Sequence, residues 1–259
     1  MVVLLMFKSV YANKDKRCII CRHLIFVSYV LILCVLLMAC QSNITQDDRA
    51  LYKFNFENKS DLTHFKAETQ INNSEIKLVD KALDIDAIKG STVWFKEKLY
   101  APVQIEYNAV VVDKGGPNDR VSDLNCFFMA IDPICPSDLL KCPDSLRTGK
   151  FRDYHRLRTY YVGYGGHDNT KTRMRRYPGY SGKRPLLPQH DLGHPELIIP
   201  NDTIRVTIKV NKDNISYSHN GRLIFEMKDE LAYNEGWFAF RTVRNHMRIL
   251  DFKVSQITN

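Results

Sequence analysis

Carboxylates are scarce where this chain is most cationic. Residues 160–180, "YYVGYGGHDNTKTRMRRYPGY", hold three arginines, a lysine and a histidine among tyrosines, with Asp168 as the single acid. Other absences narrow the function further. No Gly-x-Ser-x-Gly elbow, P-loop or dinucleotide fingerprint occurs, which removes the motif-bearing hydrolases, nucleotidases and dehydrogenases. A sandwich-fold glycosidase needs two carboxylates flanking the scissile bond, and the nearest pair, Asp84 and Asp86 in "DIDAIK", reads instead as an exposed strand edge. Beyond the first forty residues no helical period is sustained and no repeat recurs, which argues against a propeller or a solenoid.

The one long apolar run is "LIFVSYVLILCVLLMA", residues 24–39, preceded by Arg17 and Arg22 and ending at Cys40. A basic flank, an apolar stretch and a small residue before a polar segment form signal-peptide grammar. "LMAC" resembles the bacterial lipobox, whose Cys becomes the lipidated first residue, although Met38 is a less usual occupant. The predicted organisation is a lipoprotein signal peptide over 1–39, lipidated Cys40 and a linker over 40–50, and one domain over 51–259; the alternative is an uncleaved membrane anchor. The expected location is that of an exported lipoprotein, periplasmic or anchored to the outer membrane, touching the membrane only through its lipid. The formal net charge is +8 over 259 residues, and Lys8, Lys14, Lys16, Arg17 and Arg22 against Asp15 take half of it away with the leader. What remains is too mild to imply nucleic acid, and no nucleic-acid partner is expected. Cys126, Cys135 and Cys142 stay in the exported part, and the short loop "CPSDLLKC" in an oxidising compartment predicts a Cys135–Cys142 disulfide.

What is present reads as strand after strand. "YKFNF", "EIKLVD", "ALDID", "TVWFKE" and "VQIEYNAVVV" are short β-branched and aromatic runs parted by turn residues. "TIRVTIKV", "ISYS" and "RLIFEM" form a meander, its second turn carrying Asn220-Gly221, a dipeptide suited to a tight hairpin. Ile204, Val206, Ile208 and Val210 alternate with polar residues, so one face is buried. The expected fold is all-β: a two-sheet antiparallel jelly-roll sandwich in a single domain. Long irregular stretches over 113–123, 132–150 and 178–195 read as functional rims or lids.

Three stretches carry candidate chemistry. In the first, Arg156, Arg158, Tyr160, Val162 and Tyr164 share a strand face, and after the turn Lys171, Arg173, Arg175 and Tyr177 share another. Like charges on neighbouring strands repel, so the arrangement calls for an anion, and Arg forks match carboxylate or sulfate; the competing reading is a basic edge that deters pairing. In the second, "GWFAFRTVRNHMRILDF", Trp237, Ala239 and Arg241 share a face that suits a sugar ring with its acid group, followed by Asn245 and His246. In the third, "LLPQHDLGHPELI", His190 and His194 would need a helix to converge on a metal, which Pro188 and Pro195 oppose. His190 beside Asp191 reads as a loop histidine for acid or base work. No metal site and no cofactor is expected, a structural Ca²⁺ being left open.

This inventory suits elimination across C4–C5 of a uronic acid: a cation neutralises the carboxylate, His or Tyr takes the C5 proton, and a second group protonates the leaving oxygen. The blocks "YYVGYGGHDNTKTRMRRYPG", "LPQHDL" and "GWFAFRTVRNHMRI" resemble a family of small concanavalin-like jelly-roll lipoproteins from polysaccharide-utilisation loci of Bacteroidetes. Within it the chain is similar to the oligosaccharide dehydratases of ulvan-consuming marine systems. The resemblance implies a carbon–oxygen lyase that removes water from a non-reducing-end glucuronate or iduronate, leaving a 4,5-unsaturated sugar. An endo-acting polysaccharide lyase and a non-catalytic carbohydrate-binding module are the alternatives. On chemical grounds Arg241 or Arg175 clamps the carboxylate with Asn245, and His246 or His167 is the base. Tyr161 or a neighbouring tyrosine is the acid, Arg158 and Arg173 hold a sulfate or second carboxylate, and Trp237 stacks on a ring. The expected partner is an anionic, uronate-containing oligosaccharide.

Overall fold

The computed structural model describes residues 49–71, 74–180 and 182–257; the leader and Cys40 lie outside the described residues. The described chain runs through β1 (Ala50–Phe54), β2 (Phe65–Thr69), β3 (Glu75–Val79), β4 (Ala82–Ala87), β5 (Ser91–Phe95) and β6 (Leu99–Tyr100). It continues through β7 (Val103–Val111), β8 (Asn125–Ile131), β9 (Arg158–Gly165), β10 (Lys171–Pro178) and β11 (Leu186–Leu192). The last five are β12 (Ile204–Asn211), β13 (Asn214–His219), β14 (Arg222–Lys228), β15 (Glu235–Thr242) and β16 (Asn245–Gln256). They form two antiparallel sheets. The first has the order β14-β13-β12-β7-β16-β4-β3 with β1 also on β16, and the second β11-β10-β9-β8-β15-β5-β2 with β6 also on β15.

Alternation along each strand makes the core. Ile204, Val206, Ile208 and Val210 of β12 are all buried, and Asn220 and Gly221 take positive φ at the β13–β14 turn, as a two-residue hairpin requires. Phe238 and Phe240 of β15 face inward and join Phe252, Tyr107 and Tyr160 between the sheets, burying apolar area that contributes about 25 cal/mol per Å². Trp237 and Ala239 point the other way, into a second apolar cluster. That cluster lies on the outer face of the second sheet, where Trp94, Phe127 and Trp237 are covered by Leu139, Tyr154 and Leu157. A sheet face dry on both sides explains why β5 and β8 are buried along their whole length.

Two expectations change. Residues 186–192 form an edge strand of the second sheet rather than a loop, a position where Pro188 costs no ladder bond needed inside a sheet. Asp84 is buried in β4, between β16 and β3, and is no exposed edge. Cys135 and Cys142 are joined by a disulfide, their Cα atoms 5.7 Å apart.

Candidate functional site

The covering element is an insertion, residues 132–157, built from short 3-10 turns rather than strands. Its last turn, Phe151–Arg156, delivers the chain into β9. A buried charge network holds it to the sheet. The Glu68 carboxylate accepts from Trp94 Nε1 at 2.9 Å, Tyr154 Oη at 2.8 Å and Arg147 Nη2 at 2.9 Å. Arg147 Nη1 reaches Asp132 at 2.8 Å, and Arg156 Nη2 reaches the same carboxylate oxygen at 2.8 Å. Burial alone would raise Asp132, yet the bonds and charges of Arg156 and Arg147 and the Ile134 N–H hold its pKa below the ordinary value. Each charge has a counter-charge, the condition under which a buried network is stable.

Where the insertion ends, the sheet face carries a different set. Arg241 of β15 lies opposite Asn125 of β8, Phe127 of β8 opposite Tyr161 of β9, and Tyr161 opposite Arg175 of β10. Because all are paired residues on neighbouring strands, their side chains share the outer face. His155 and Phe151 come down from the insertion onto this row. His155 packs edge-on against Phe151, ring centroids 5.0 Å apart, and lies 6.2 Å from Tyr177; Tyr161 lies 5.4 Å from Phe151 and 5.7 Å from Tyr177. Gly163 makes room for this, since a Cβ there would sit 3.0 Å from the Tyr161 hydroxyl. Arg184 closes the ring of residues, 5.9 Å from the Phe151 ring centre, with its carbonyl accepting from Arg175 Nη1 at 2.6 Å.

Three guanidinium groups meet here without a directly paired acid; Asp123, whose charge reaches Arg241, is itself bonded to Arg120. Among the described residues no carboxylate pairs with Arg175, Arg184 or Arg241, whereas Arg120, Arg147, Arg156, Arg173, Arg176, Arg205 and Arg222 each have at least one. Arg241 is fully buried. Its Nη1 donates to Thr92 Oγ1 and the Gly149 carbonyl, while Nε and Nη2 have no partner. His155 Nε2 and Asn125 Oδ1 are likewise buried and unpartnered. Burial lowers the pKa of Arg241 and, with Arg184 and Arg173 adding repulsion, that of Arg175. Burial and the charges of Arg184, Arg175 and Arg241 push His155 down to about 4, with Asp153 opposing, so its imidazole is neutral at neutral pH. Burial holds Tyr161 well above the ordinary phenol value and pushes Tyr177 up to about 12. The arrangement offers a positive, partly dry seat, a neutral imidazole and protonated phenols.

The structure thus brings together Arg241, Arg175 and Tyr161 but not the other candidates. His246 lies on the first sheet, its Nδ1 3.1 Å from Asp119 and its Nε2 3.0 Å from Asp84. Both ring nitrogens are occupied by carboxylates, and the bond to Asp84 is the largest influence raising its pKa; it bridges two acids on the first sheet and does not stand beside Arg241. Asn245 spends its amide on the Ser122 carbonyl at 2.6 Å. His190 is buried with Nε2 on the Glu226 carbonyl and its ring against Phe225. Trp237 is almost fully covered, with Lys98 Nζ 5.4 Å over its ring, and packs in the apolar cluster beneath the insertion rather than in the cationic row. Arg158 stands over Tyr233 at 4.6 Å, because the Arg158–Tyr160–Val162 face of β9 turns to the core. His167 and Arg173 occupy the rim: Arg173 Nη1 donates to His167 Nε2 at 2.8 Å and Nε to Asp191 at 2.8 Å. Sequence reasoning missed His155 and Arg184, and named Tyr177 only as a member of the cationic row. The available signal was "FRDYHRLR", a histidine between arginines directly before the cationic strand. Among the described residues no group of three or more His, Cys, Asp or Glu side chains is placed to hold a metal ion.

Against known proteins, the domain of unknown function DUF6250 matches residues 85–252. A protein of unknown function with a galectin-like fold from Bacillus subtilis superposes with a TM-score of 0.63 at 19% identity, covering 80% of this chain and 96% of that one. The carbohydrate-binding module CBM66 from Bacillus subtilis gives 0.50 at 11% identity over 74% and 96% of the two chains. An endo-β-1,3-glucanase from Pyrococcus furiosus gives 0.50 at 12% identity over 81% and 95%. At such identities the likeness establishes the fold, a galectin-like jelly roll. Among curated proteins none matches the sequence.

Proposed function

The chain belongs to the DUF6250 family, and we propose that it is a carbon–oxygen lyase that eliminates across C4–C5 of a terminal uronic acid on an anionic oligosaccharide. One observation carries the reading: Arg175, Arg184 and Arg241 stand around His155, Tyr161 and Tyr177 with no carboxylate ion-paired to any of the three among the described residues, Asp123 and Asp153 acting only from farther off. The missing counter-charge is the substrate's own carboxylate. Its neutralisation lets negative charge spread from C5 as the proton leaves. His155, neutral and with a free Nε2, takes that proton. Tyr161, kept protonated by burial, donates to the C4 oxygen. The C5–H and C4–O bonds break, the C4=C5 bond forms, and the oxygen departs as water from a chain end or as a sugar from a chain interior.

The insertion favours the chain end. It fills the outer face over β5, β8 and β15 with Leu139, Tyr154 and Leu157, leaving no path for a polysaccharide across the whole sheet. This supports dehydration of a non-reducing-end glucuronate or iduronate, of which the sulfated oligosaccharides of ulvan are the proposed source. The sugar-related names among the fold neighbours, a carbohydrate-binding module and a glucanase, are compatible with a glycan ligand. An exported, lipid-anchored protein would meet such a substrate outside the cytoplasm.

Incubation with ulvan oligosaccharides tests the proposal. The expected outcome is ultraviolet absorbance from the conjugated unsaturated uronate, with a product lighter by one water and His155→Ala slower by about 10²–10⁴-fold. Absorbance with chain shortening would point to an endo-acting lyase instead. Binding without absorbance on any uronate substrate would make the protein a carbohydrate-binding module and defeat the elimination mechanism.

A further inference from the structure

Glu68 lies on β2, at the far edge of the second sheet from β10, and has no direct contact with the unneutralised arginines, yet its bonds lead to His155. Its two oxygens are saturated: Arg147 Nε approaches at 3.1 and 3.2 Å besides Nη2 at 2.9 Å, Trp94 Nε1 at 2.9 Å and Tyr154 Oη at 2.8 Å. A side chain that only filled space would not need five polar contacts. Tyr154 is the residue before His155, and its ring lies 5.1 Å from the Arg241 Cζ. On the other side of His155, Arg156 is fixed by Asp132 through Nη2 at 2.8 Å and by the Leu146 carbonyl at 2.9 Å. Arg147 closes the circuit, joining Glu68 to Asp132 and donating to the Leu139 carbonyl at 2.8 Å. His155 itself makes no hydrogen bond through Nε2. Besides the Phe151 and Tyr177 rings it packs against, its position is set by its two neighbours in sequence, each held by one end of the same buried network.

We infer that Glu68, acting through Tyr154, is a positioning residue for His155, holding the imidazole among the arginines at the geometry the elimination needs. The inference rests on the function proposed above for its kinetic consequence, but not for its structural one. A 3-10 turn has few internal bonds of its own, so Phe151–Arg156 keeps its place through these external ones. Misplacement by about 1 Å costs about a hundredfold in rate, which gives the network leverage on chemistry out of proportion to its distance from it.

Tyr154→Phe removes one hydroxyl and leaves Glu68 with Arg147 and Trp94, so the fold survives; Glu68→Gln is the harsher variant. The imidazole titration of His155, followed by NMR and assigned with His155→Ala, needs no substrate. In the wild type it is held near 4 by burial, Arg184, Arg175 and Arg241, against Asp153, with Tyr161 and Tyr177 as the other titratable neighbours. Both variants should raise it toward the ordinary imidazole range, because a loosened turn lets water in. On oligosaccharide substrate Tyr154→Phe should lower kcat about tenfold or more with KM within about twofold. A His155 titration that stays put in both folded variants would overturn the inference, as would a fall in kcat/KM borne by KM alone. Should the wild type lack elimination activity, the titration still decides the positioning role while the function proposed above fails by itself.

Discussion

Arg147 and Arg241 are both buried arginines on the outer side of one sheet, and their surroundings are opposite. Arg147 donates to two carboxylates, Glu68 and Asp132. Arg241 donates to a threonine hydroxyl and a backbone carbonyl and leaves two nitrogens without a partner. The first arrangement is what stability selects, since a desolvated charge is costly unless paired. The second is poor stabilisation: a fully buried cation with two unpartnered nitrogens is a cost that the Phe151 and Tyr154 ring faces only partly offset. Stored electrostatic disadvantage of this kind is a mark of a binding or catalytic seat. On the function proposed above, the first region holds the molecule together and the second holds the substrate.

The sharpest test is the sign of two matched substitutions. Arg147→Met strands two buried carboxylates and should cost about 3–5 kcal/mol of unfolding free energy in denaturant melts. Arg241→Met forfeits two modest hydrogen bonds but also removes an unpaired buried charge, so stability should stay within about 1 kcal/mol while elimination is abolished. Equal losses in the two variants would mean that Arg241 is an ordinary structural arginine, no different in role from Arg147.

A smaller effect separates His155 from His246. Its folded-state pKa is depressed from 6.5 to about 4, so the unfolded chain binds the proton first. The associated stability is complete above about pH 6.5 and is lost as pH falls toward about 4. His155→Asn should therefore flatten that part of the stability curve relative to the wild type, measured by melting temperature across the window. An unchanged slope would place His155 in water rather than among the arginines.

The sandwich was legible in the sequence because alternation and turn chemistry are local: β12, its Asn220-Gly221 hairpin partner strands and the Phe238/Phe240 face of β15 follow from spacing alone. Arg241 and Arg175 could be named as outward residues of their strands for the same reason, but that Tyr161, and not the Arg158–Tyr160 face, lies opposite Arg175 is a matter of register. The rest depends on distant pairing. Nothing near His246 says that Asp84 and Asp119, each more than a hundred residues away, will occupy both of its nitrogens. Nothing near Trp237 says that an insertion will cover it. His155 was hidden by its context: a 3-10 turn has neither a helical nor a strand period to say which way a side chain points. Parity misled at Arg158, where the face shared with Tyr160 is cationic at its end but apolar along its length, and the apolar part decides.

His246 offers the mildest test, and it probes the contrast from the opposite sheet. Its imidazole bridges Asp84 and Asp119 and so ties residues 113–123 to β4. Partnering with Asp84 raises its folded-state pKa above 6.5 despite partial burial. The stabilisation is therefore fully present below about pH 6.5 and fades as pH rises through the folded-state value. His246→Gln should cost about 1 kcal/mol near pH 5.5 and less near pH 9, the reverse of the trend expected for His155. Turnover should stay within about twofold of the wild type, because the bridge stands behind the sandwich core from Arg241. A large loss of turnover in this variant at full stability would return the base to the first sheet and leave the unpaired arginines without a reaction to serve.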